Sequence, residues 1–249
     1  MNCLVIGFGW LGKPLALELK NKGYNVFASS RDVDKMNTMQ NEGILPWQYD
    51  ANNTNNFPEW FNALDIIVFN LPPSGIADYP MALEEIAANA PEKCRIIFTS
   101  STGVYLNNEG TINEGSNLDL EHPVTQAEKA LQNSGKNFII LRLAGLIGGE
   151  RHPIKHLSGK TIENGSQVVN LVNRNDVIRA IIHLIKSEKT NVIFNVCYPE
   201  HPSRAAYYTR SAISRDLAPP TFLKSVGTGK IVSSEKLEKE LNFTFKNAI

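Results

Sequence analysis

Short runs of apolar residues alternate with helical patterns along most of the chain. Most of these runs are unbroken, as expected for strands that are buried on both faces of a sheet. They predict strands at Cys3–Ile6, Asn25–Ser29, Trp47–Tyr49, Asp65–Asn70, Arg95–Thr99, Phe138–Leu143 and Val192–Val196. Between the first two strands, leucines recur at every fourth position from Leu11 to Leu19, which gives one helix a single apolar face.

Further helices are predicted between and after these strands. Asp32 and Asp78 stand at the start of two of them, and aspartate is a favoured N-cap because its carboxylate accepts bonds from the first turn. The later helices are predicted at Asp176–Lys186, Arg204–Asp216 and Ser234–Leu241, with Asp176 and Ser234 as caps. The alternation of strand and helix predicts an α/β fold, a Rossmann-type doubly wound parallel sheet with helices on both faces.

The regular alternation stops in two segments. Residues 146–174 are rich in Gly, His and Lys and show little periodicity, and residues 197–249 contain several Pro and Gly breakers. We therefore expect residues 1–145 and 175–196 to form the Rossmann domain. Residues 146–174 and 197–249 are expected to form a small C-terminal substrate-binding lobe.

Composition narrows the class of protein. The 249 residues carry 25 acidic and 25 basic side chains, so no net charge attracts nucleic acid. No apolar run approaches the roughly 18 residues of a membrane span, and the first residues do not resemble a signal peptide. Three widely spaced cysteines without a Cys-x-x-Cys pair favour a reducing cytoplasm over disulfides, and no metal site is predicted.

A glycine motif follows the first strand and opens the first helix. Gly7, Gly9 and Gly12, with Trp10 and Leu11 between them, form Gly-x-Gly-x-x-Gly. In this context the first glycine permits a tight turn, the second lets the backbone approach a diphosphate, and the third lets the helix pack closely. The free N–H groups and positive end of the helix then bind the anion.

The residues after the second strand bear on which dinucleotide binds. NAD sites usually place an acidic residue about 20 positions beyond the turn, where it binds the ribose 2′-OH. Here Ser30 and Arg31 stand in that region, and a hydroxyl and a guanidinium suit a 2′-phosphate. The next residue, Asp32, is interpreted as the N-cap of the second helix. NADP is therefore predicted rather than NAD.

Two other strand ends are candidate parts of the coenzyme site. Asp50 follows the third strand and either lies near the adenine or belongs to a turn. Leu71 and Pro72 follow the fourth strand, at the carboxyl edge where such sheets bind ligands. Proline there equally serves to end the strand.

Motifs later in the chain resemble those of the extended short-chain dehydrogenases/reductases, a superfamily that includes nucleotide-sugar epimerases and dehydratases. The segment Thr99–Tyr105 resembles its Ser-Ser-x-x-Val-Tyr motif, and Leu141–Gly148 resembles the segment that lines the nicotinamide. Val172–Val177 is similar to the loop before its penultimate strand. Each motif is loose by itself, but their order matches over nearly the whole chain. The glycine spacing and the short last lobe resemble the atypical members.

The resemblance implies roles for particular residues. Ser101 corresponds to the serine that hydrogen-bonds the substrate oxygen, with Thr102 beside it, although a serine there also caps local backbone. Ala144 is implied to contact the coenzyme. Arg151 corresponds to the arginine that faces a substrate phosphate or carboxylate, and His152 is placed with it in the substrate site.

The chain departs from the family pattern at the catalytic pair. The superfamily uses a Tyr-x-x-x-Lys motif for proton transfer, and the sequence contains none. One alignment places Thr125 and Lys129 at the two positions, and another places Leu120 and Val124 there. His122 is an alternative acid, although a histidine before proline is often simply solvated.

The sequence therefore predicts an NAD(P)-dependent oxidoreductase or epimerase whose usual catalytic pair is missing. The expected partner is a small-molecule substrate such as a sugar nucleotide, and no nucleic-acid or membrane partner is expected. The chain itself is expected to form a homodimer. The alternative is a catalytically degenerate NADP-binding sensor or regulatory protein.

Overall fold

The computed structural model describes residues 1–53, 56–106, 109–223 and 227–249. Its strands are β1 Asn2–Ile6, β2 Asn25–Ser30, β3 Leu45–Gln48, β4 Ile66–Phe69, β5 Arg95–Ser101, β6 Gly110–Ile112, β7 Asn137–Leu143, β8 Gly145–Ile147, β9 Thr161–Ile162, β10 Leu171–Asn173, β11 Val192–Val196, β12 Thr221–Phe222 and β13 Lys230–Val232. Its helices are α1 Gly12–Asn21, α2 Val33–Asn41, α3 Tyr79–Asn89, α4 Pro123–Asn133, α5 Ile154–Leu157, α6 Arg174–Lys186, α7 Arg204–Ile213 and α8 Glu235–Leu241. Short 3₁₀ turns cover Glu59–Ala63 and Thr102–Val104.

The central sheet has seven strands in the order β11-β7-β5-β4-β1-β2-β3. The pairs from β3 across to β5 are parallel. From β3 to β7 this is the strand order of a dinucleotide-binding sheet, in which the order reverses beside β1. The predicted α/β class and doubly wound parallel sheet are confirmed.

Local sequence explains why the first helices form where they do. Leu15 and Leu19 of α1 are completely buried, as the four-residue spacing predicted. Asp32 and Asp78 cap α2 and α3 through their carboxylates, which accept bonds from backbone N–H groups of the first turns. Both predicted aspartate caps are therefore confirmed.

The predicted cap of the helix before β11 is wrong. Helix α6 begins at Arg174, so Asp176 lies inside its first turn and is completely buried. Its carboxylate accepts bonds from the backbone N–H of Lys246, at 3.1 and 3.2 Å, and of Asn247, at 2.8 Å. The partners lie about 70 residues away in the sequence, so local pattern could not reveal them.

The N-cap predicted for the last helix is also not formed by the side chain of Ser234. Ser234 precedes α8, but its hydroxyl accepts a bond from the backbone N–H of Cys197 at 2.7 Å and makes no capping bond to the helix in the described residues. The side chain is buried, so it joins α8 to the end of β11.

The chain divides into two compact units. Unit 1 contains Met1–Val104, Asp119–Arg142 and Ile178–Ile193, and unit 2 contains Tyr105–Leu118, Leu143–Val177 and Phe194–Ile249. The core of unit 1 is formed by the fully buried strand β4, the largely buried strands β1 and β5, and the apolar faces of their helices. In the part of the chain that the structure describes, no helix is long and apolar enough to cross a membrane.

Unit 2 is built from short parallel strand pairs, β8 with β10, β9 with β12 and β6 with β13. Its small core joins α5 and α7 to these strands and contains Ile147, Ile154, Val169, Leu171, Tyr207, Tyr208 and Ala212.

Candidate functional site

The glycine motif forms the sharp turn between β1 and α1. Gly7 has φ +99°, which favours glycine, and a Cβ there would lie 2.9 Å from the carbonyl oxygen of Asn70. A Cβ on Gly12 would lie 1.9 Å from the carbonyl oxygen of Gly7, which is impossible without rearrangement. Two of the three glycines are therefore required by the turn itself.

Gly9 is different, because the conformation of the turn does not require a glycine at this position. A Cβ on Gly9 would have no described atom within 4 Å. The residue faces open space at the amino end of α1, where the N-cap residue Leu11 makes no side-chain capping bond in the described chain and no acidic residue occupies the first turn. An uncapped helix end beside an open glycine fits an anion such as a diphosphate.

Ser29 supports this turn from the neighbouring strand. Its hydroxyl accepts a bond from the N–H of Gly7 at 3.1 Å, and its carbonyl oxygen accepts one from the N–H of Phe8 at 3.0 Å. The serine is 1% exposed. Its role was not predicted, and only the pairing of β1 with β2 reveals it.

Strand β2 ends at the partly exposed Ser30, and the residues after it are exposed. The hydroxyl of Ser30 accepts a bond from the N–H of Asp32 at 3.0 Å, which shapes the turn into α2. The side chain of Arg31 is 67% exposed, and one of its terminal nitrogens lies 3.8 Å from Oδ1 of Asp50. Oδ1 of Asp32, which is itself exposed, is used as a helix cap, and the guanidinium of Arg31 beside it extends into solvent.

Asp50 belongs to a turn, which is one of the two roles predicted for it. Its carboxylate accepts bonds from the backbone N–H of Asn52 at 3.1 Å and from the side-chain amide of Asn53 at 2.7 Å. Proximity to an adenine stays a prediction.

The end of β4 is held close to the glycine turn. The amide of Asn70 is 3.5 Å from the carbonyl oxygen of Gly7, and its Oδ1 accepts a bond from the hydroxyl of Thr99 at 3.2 Å. The carbonyl oxygen of Leu71 accepts a bond from the hydroxyl of Tyr79, while Pro72 is exposed. Asn70 thus links three strand ends at the carboxyl edge of the sheet.

The end of β5 carries the predicted serine and threonine. The hydroxyl oxygen of Ser101 accepts a bond from the N–H of Gly103 at 3.0 Å, so the serine shapes the local turn. That bond uses a lone pair, and the hydroxyl proton stays available for another acceptor. Thr102 is 8% exposed and lies in the following 3₁₀ turn.

Helix α4 holds the residues aligned with the missing catalytic pair. Thr125 is completely buried, and its hydroxyl has no hydrogen-bond partner among the described residues. Lys129, one turn later, is exposed. The structure therefore places the two side chains in different environments, and their catalytic roles stay predictions.

His122 caps α4 and lies near Ser101. Its Nδ1 accepts a bond from the N–H of Val124 at 3.2 Å, so the proton of the neutral ring is on Nε2. A Cβ on Gly103 would lie 3.2 Å from the Ser101 hydroxyl oxygen and 4.0 Å from His122 Nε2. The two polar atoms therefore flank the same exposed glycine and are separated by no more than about 7 Å, the sum of those distances.

A buried ion pair beneath these residues was missed by sequence reasoning. Glu128 of α4 is 0% exposed and Arg142 of β7 is 1% exposed, and the guanidinium donates bonds of 2.7 to 3.2 Å to both carboxylate oxygens. The hydroxyl of Ser100 donates to the same carboxylate. Local sequence does not reveal this ion pair, because the arginine partner of Glu128 is 14 residues away on another element.

The other predicted site residues belong to unit 2. Ala144 is buried and Arg151 is exposed, in a turn closed by backbone bonds between Gly148 and Arg151. His152 is 7% exposed, and its Nδ1 accepts a bond from the N–H of Ile154. Its Nε2 is therefore the donor to the hydroxyl of Tyr207, at 2.9 Å. Burial lowers the pKa of His152 to about 4.

Comparisons with known proteins agree with the coenzyme site. Residues 7–188 match the family described as NAD(P)H-binding. Protein YeeZ of Escherichia coli strain K12 is 36% identical over 97% of this chain and 94% of its own length.

Solved structures show the same fold. A functionally unknown conserved protein from Silicibacter pomeroyi has a TM-score of 0.80 at 20% identity, covering 99% of this chain and 94% of its own. UDP-glucuronic acid 4-epimerase from Bacillus cereus in complex with NAD has a TM-score of 0.78 at 19% identity, covering 100% and 94%. UDP-glucose 4-epimerase from Thermotoga maritima has a TM-score of 0.75 at 17% identity, covering 100% and 94%. These likenesses show the fold, and the match over residues 7–188 shows the NAD(P)H-binding family.

Proposed function

The chain belongs to the NAD(P)H-binding family, and we propose that it is an NADP-dependent oxidoreductase or epimerase acting on a polar substrate such as a sugar nucleotide. The observation that carries the coenzyme part is Gly9, which faces open space at an uncapped helix end although the turn itself does not need a glycine there. Trp10 and Leu11 complete this phosphate-binding turn.

The preference for NADP is supported by Ser30 and Arg31. Both stand at the end of β2, where an NAD-specific site usually has a free carboxylate. The one carboxylate next to them in the sequence, that of Asp32, caps α2. An exposed guanidinium pairs with a phosphate through two parallel bonds, which a ribose hydroxyl cannot match.

When bound, the nicotinamide supplies or accepts a hydride at a substrate carbon. The chain itself must then bind the substrate oxygen that gains or loses charge. We assign this role to two donors, the hydroxyl of Ser101 and Nε2–H of His122, since both flank Gly103. Donors placed where charge develops stabilise a transition state strongly. Nε2 of His122 is the ring nitrogen left to donate, because Nδ1 accepts the bond that caps the helix.

A second function, a coenzyme-binding sensor without turnover, is favoured by one observation. The hydroxyl of Thr125, which one alignment places at the position of the catalytic tyrosine, is completely buried. In that case the chain binds coenzyme and passes its redox state to a partner.

Titration calorimetry with NADP and NAD tests the coenzyme site. Gly9→Val is expected to keep its thermal midpoint, because a Cβ at this position has no described atom within 4 Å, and to lose at least tenfold in affinity because the side chain fills the space of the diphosphate. The control is Gly115→Ala, whose Cβ makes only an ordinary 3.4 Å contact. Absence of binding by the unmodified protein, or full affinity in Gly9→Val, would contradict the proposal.

Turnover separates the two functions. We expect NADPH oxidation with one of a panel of keto-sugar nucleotides, and at least a tenfold loss in Ser101→Ala, the scale of one lost donor to a developing oxyanion. Tight binding without turnover on any of the panel would favour the sensor.

The remaining parts of the proposal concern setting and assembly. A cytoplasmic location is supported by the thiols of Cys3, Cys94 and Cys197, which are free and whose pKa burial raises to about 12, so that they are unreactive. A substrate site that includes Arg151 and His152, a homodimer, and the absence of nucleic-acid and membrane partners stay predictions.

A further inference from the structure

We propose that Asp50 determines the coenzyme preference of this protein by holding the guanidinium of Arg31, and so weakens its selectivity for NADP. The inference rests on the proposed function, because it concerns the residue assigned to the 2′-phosphate. It adds a residue from a third strand end, which neither the glycine motif nor the Ser30-Arg31 pattern identifies.

The carboxylate of Asp50 is fixed in place. One oxygen accepts the backbone N–H of Asn52 at 3.1 Å and the other accepts the side-chain amide of Asn53 at 2.7 Å. Its side chain is 31% exposed, about half as much as that of Arg31. A carboxylate held by two bonds does not swing away when another anion approaches.

Arg31 is the mobile partner. Its terminal nitrogen is 3.8 Å from Oδ1 of Asp50, and two thirds of its side chain is in solvent. An ion pair of this kind contributes little to stability, so the guanidinium exchanges partners easily. It therefore can reach a phosphate, but the phosphate then shares the guanidinium with a fixed negative charge.

The two coenzymes respond differently to this arrangement. The 2′-phosphate of NADP carries negative charge and competes with Asp50 for Arg31, whereas the 2′-hydroxyl of NAD is neutral and does not depend on the guanidinium. Asp50 therefore lowers the affinity for NADP selectively. The wild-type protein is expected to bind both coenzymes with a smaller preference than Ser30 and Arg31 alone would give.

The test is a double-mutant cycle measured by calorimetry with NADP and NAD. In Asp50→Asn we expect the affinity for NADP to rise about threefold to fivefold, the upper part of the range for one exposed ion pair with which the phosphate no longer competes. The affinity for NAD should stay within about twofold. Asparagine retains one oxygen, which accepts the Asn52 N–H, and loses the acceptor of the Asn53 amide, so thermal midpoints are measured to verify that the turn is preserved.

Two further variants make the cycle specific. In an Arg31→Gln background, Asp50→Asn should no longer change NADP affinity, since the guanidinium through which it acts is gone. The matched control is Asp34→Asn, which removes an equal exposed charge from the first turn of α2. It should leave the NADP to NAD ratio unchanged.

The outcomes distinguish the inference from the proposed function. An unchanged NADP to NAD ratio in Asp50→Asn, an equal rise in Asp34→Asn, or a full rise in the Arg31→Gln background overturns the inference alone. If the wild-type protein binds neither coenzyme, the proposed function fails. If Arg31→Gln leaves NADP affinity unchanged, the assignment of Arg31 fails, and the role of Asp50 fails with it.

Discussion

The buried ion pair between Glu128 and Arg142 gives the sharpest stability prediction. Glu128→Gln keeps the shape of the side chain but leaves a guanidinium, 1% exposed, without its counter-charge. Three bonds from Arg142 and one from Ser100 converge on the carboxylate, so the change affects every member of the cluster. Breaking one side of a buried pair costs about 3–5 kcal/mol. This is a large fraction of the roughly 5–15 kcal/mol that stabilises an ordinary domain.

Urea unfolding followed by tryptophan fluorescence measures the loss of stability in the unit that contains the ion pair. All three tryptophans, Trp10, Trp47 and Trp60, belong to unit 1, the unit that contains the pair. The matched control is Glu121→Gln, an exposed residue just before α4, for which a change within about 0.5 kcal/mol is expected.

A second variant tests the reasoning from the other side. Replacing both members of the pair by methionine removes the two charges together, and buried pairs replaced in this way are often neutral or stabilising. We expect the double variant to be more stable than Glu128→Gln. A loss below about 1 kcal/mol in the single variant, or no recovery in the double one, would refute the interpretation of an uncompensated charge.

Two predictions concern unit 2. Asp176→Ala removes the acceptor of the Lys246 and Asn247 N–H groups, so thermal unfolding followed by near-ultraviolet circular dichroism should show a loss of about 1–3 kcal/mol, and none in the exposed control Glu163→Ala. For His152, burial lowers the pKa from 6.5 to about 4, so the unfolded chain binds more protons in that range and stability should fall as the pH drops through it. His152→Phe should flatten this slope in urea titrations, and an unchanged slope would contradict the assignment.

The sheet could be predicted from the sequence because burial on both faces leaves a strong local signal. Unbroken apolar runs located the strands of the central sheet, and Asp32 and Asp78 marked two helix starts whose bonds are made within three residues. The glycine turn was predictable for the same reason, since strand, turn and helix start are adjacent in sequence. In all these cases the interacting groups lie close together along the chain.

The parts that sequence reasoning missed depend on distant partners. Asp176 is of a residue type that is favoured at N-caps, yet its carboxylate binds backbone groups about 70 residues later in the sequence. The hydroxyl of Ser234 likewise binds a distant group, the N–H of Cys197. Glu128 pairs with Arg142, which lies on another element. The relation of His122 to Ser101 likewise exists only once β5 and α4 have folded together. A side chain with several possible partners does not reveal its choice in the sequence.

The interleaving of the two units has a consequence for synthesis on the ribosome. The last segment of unit 1 ends at Ile193, whereas unit 2 still needs Phe194–Ile249. Every segment of unit 1 can therefore emerge while unit 2 is still missing a major part of its sequence, and chains fold from the amino end as they are made. The carboxylate of Asp176 has no backbone partners until about 70 further residues have been made, because the partners are Lys246 and Asn247.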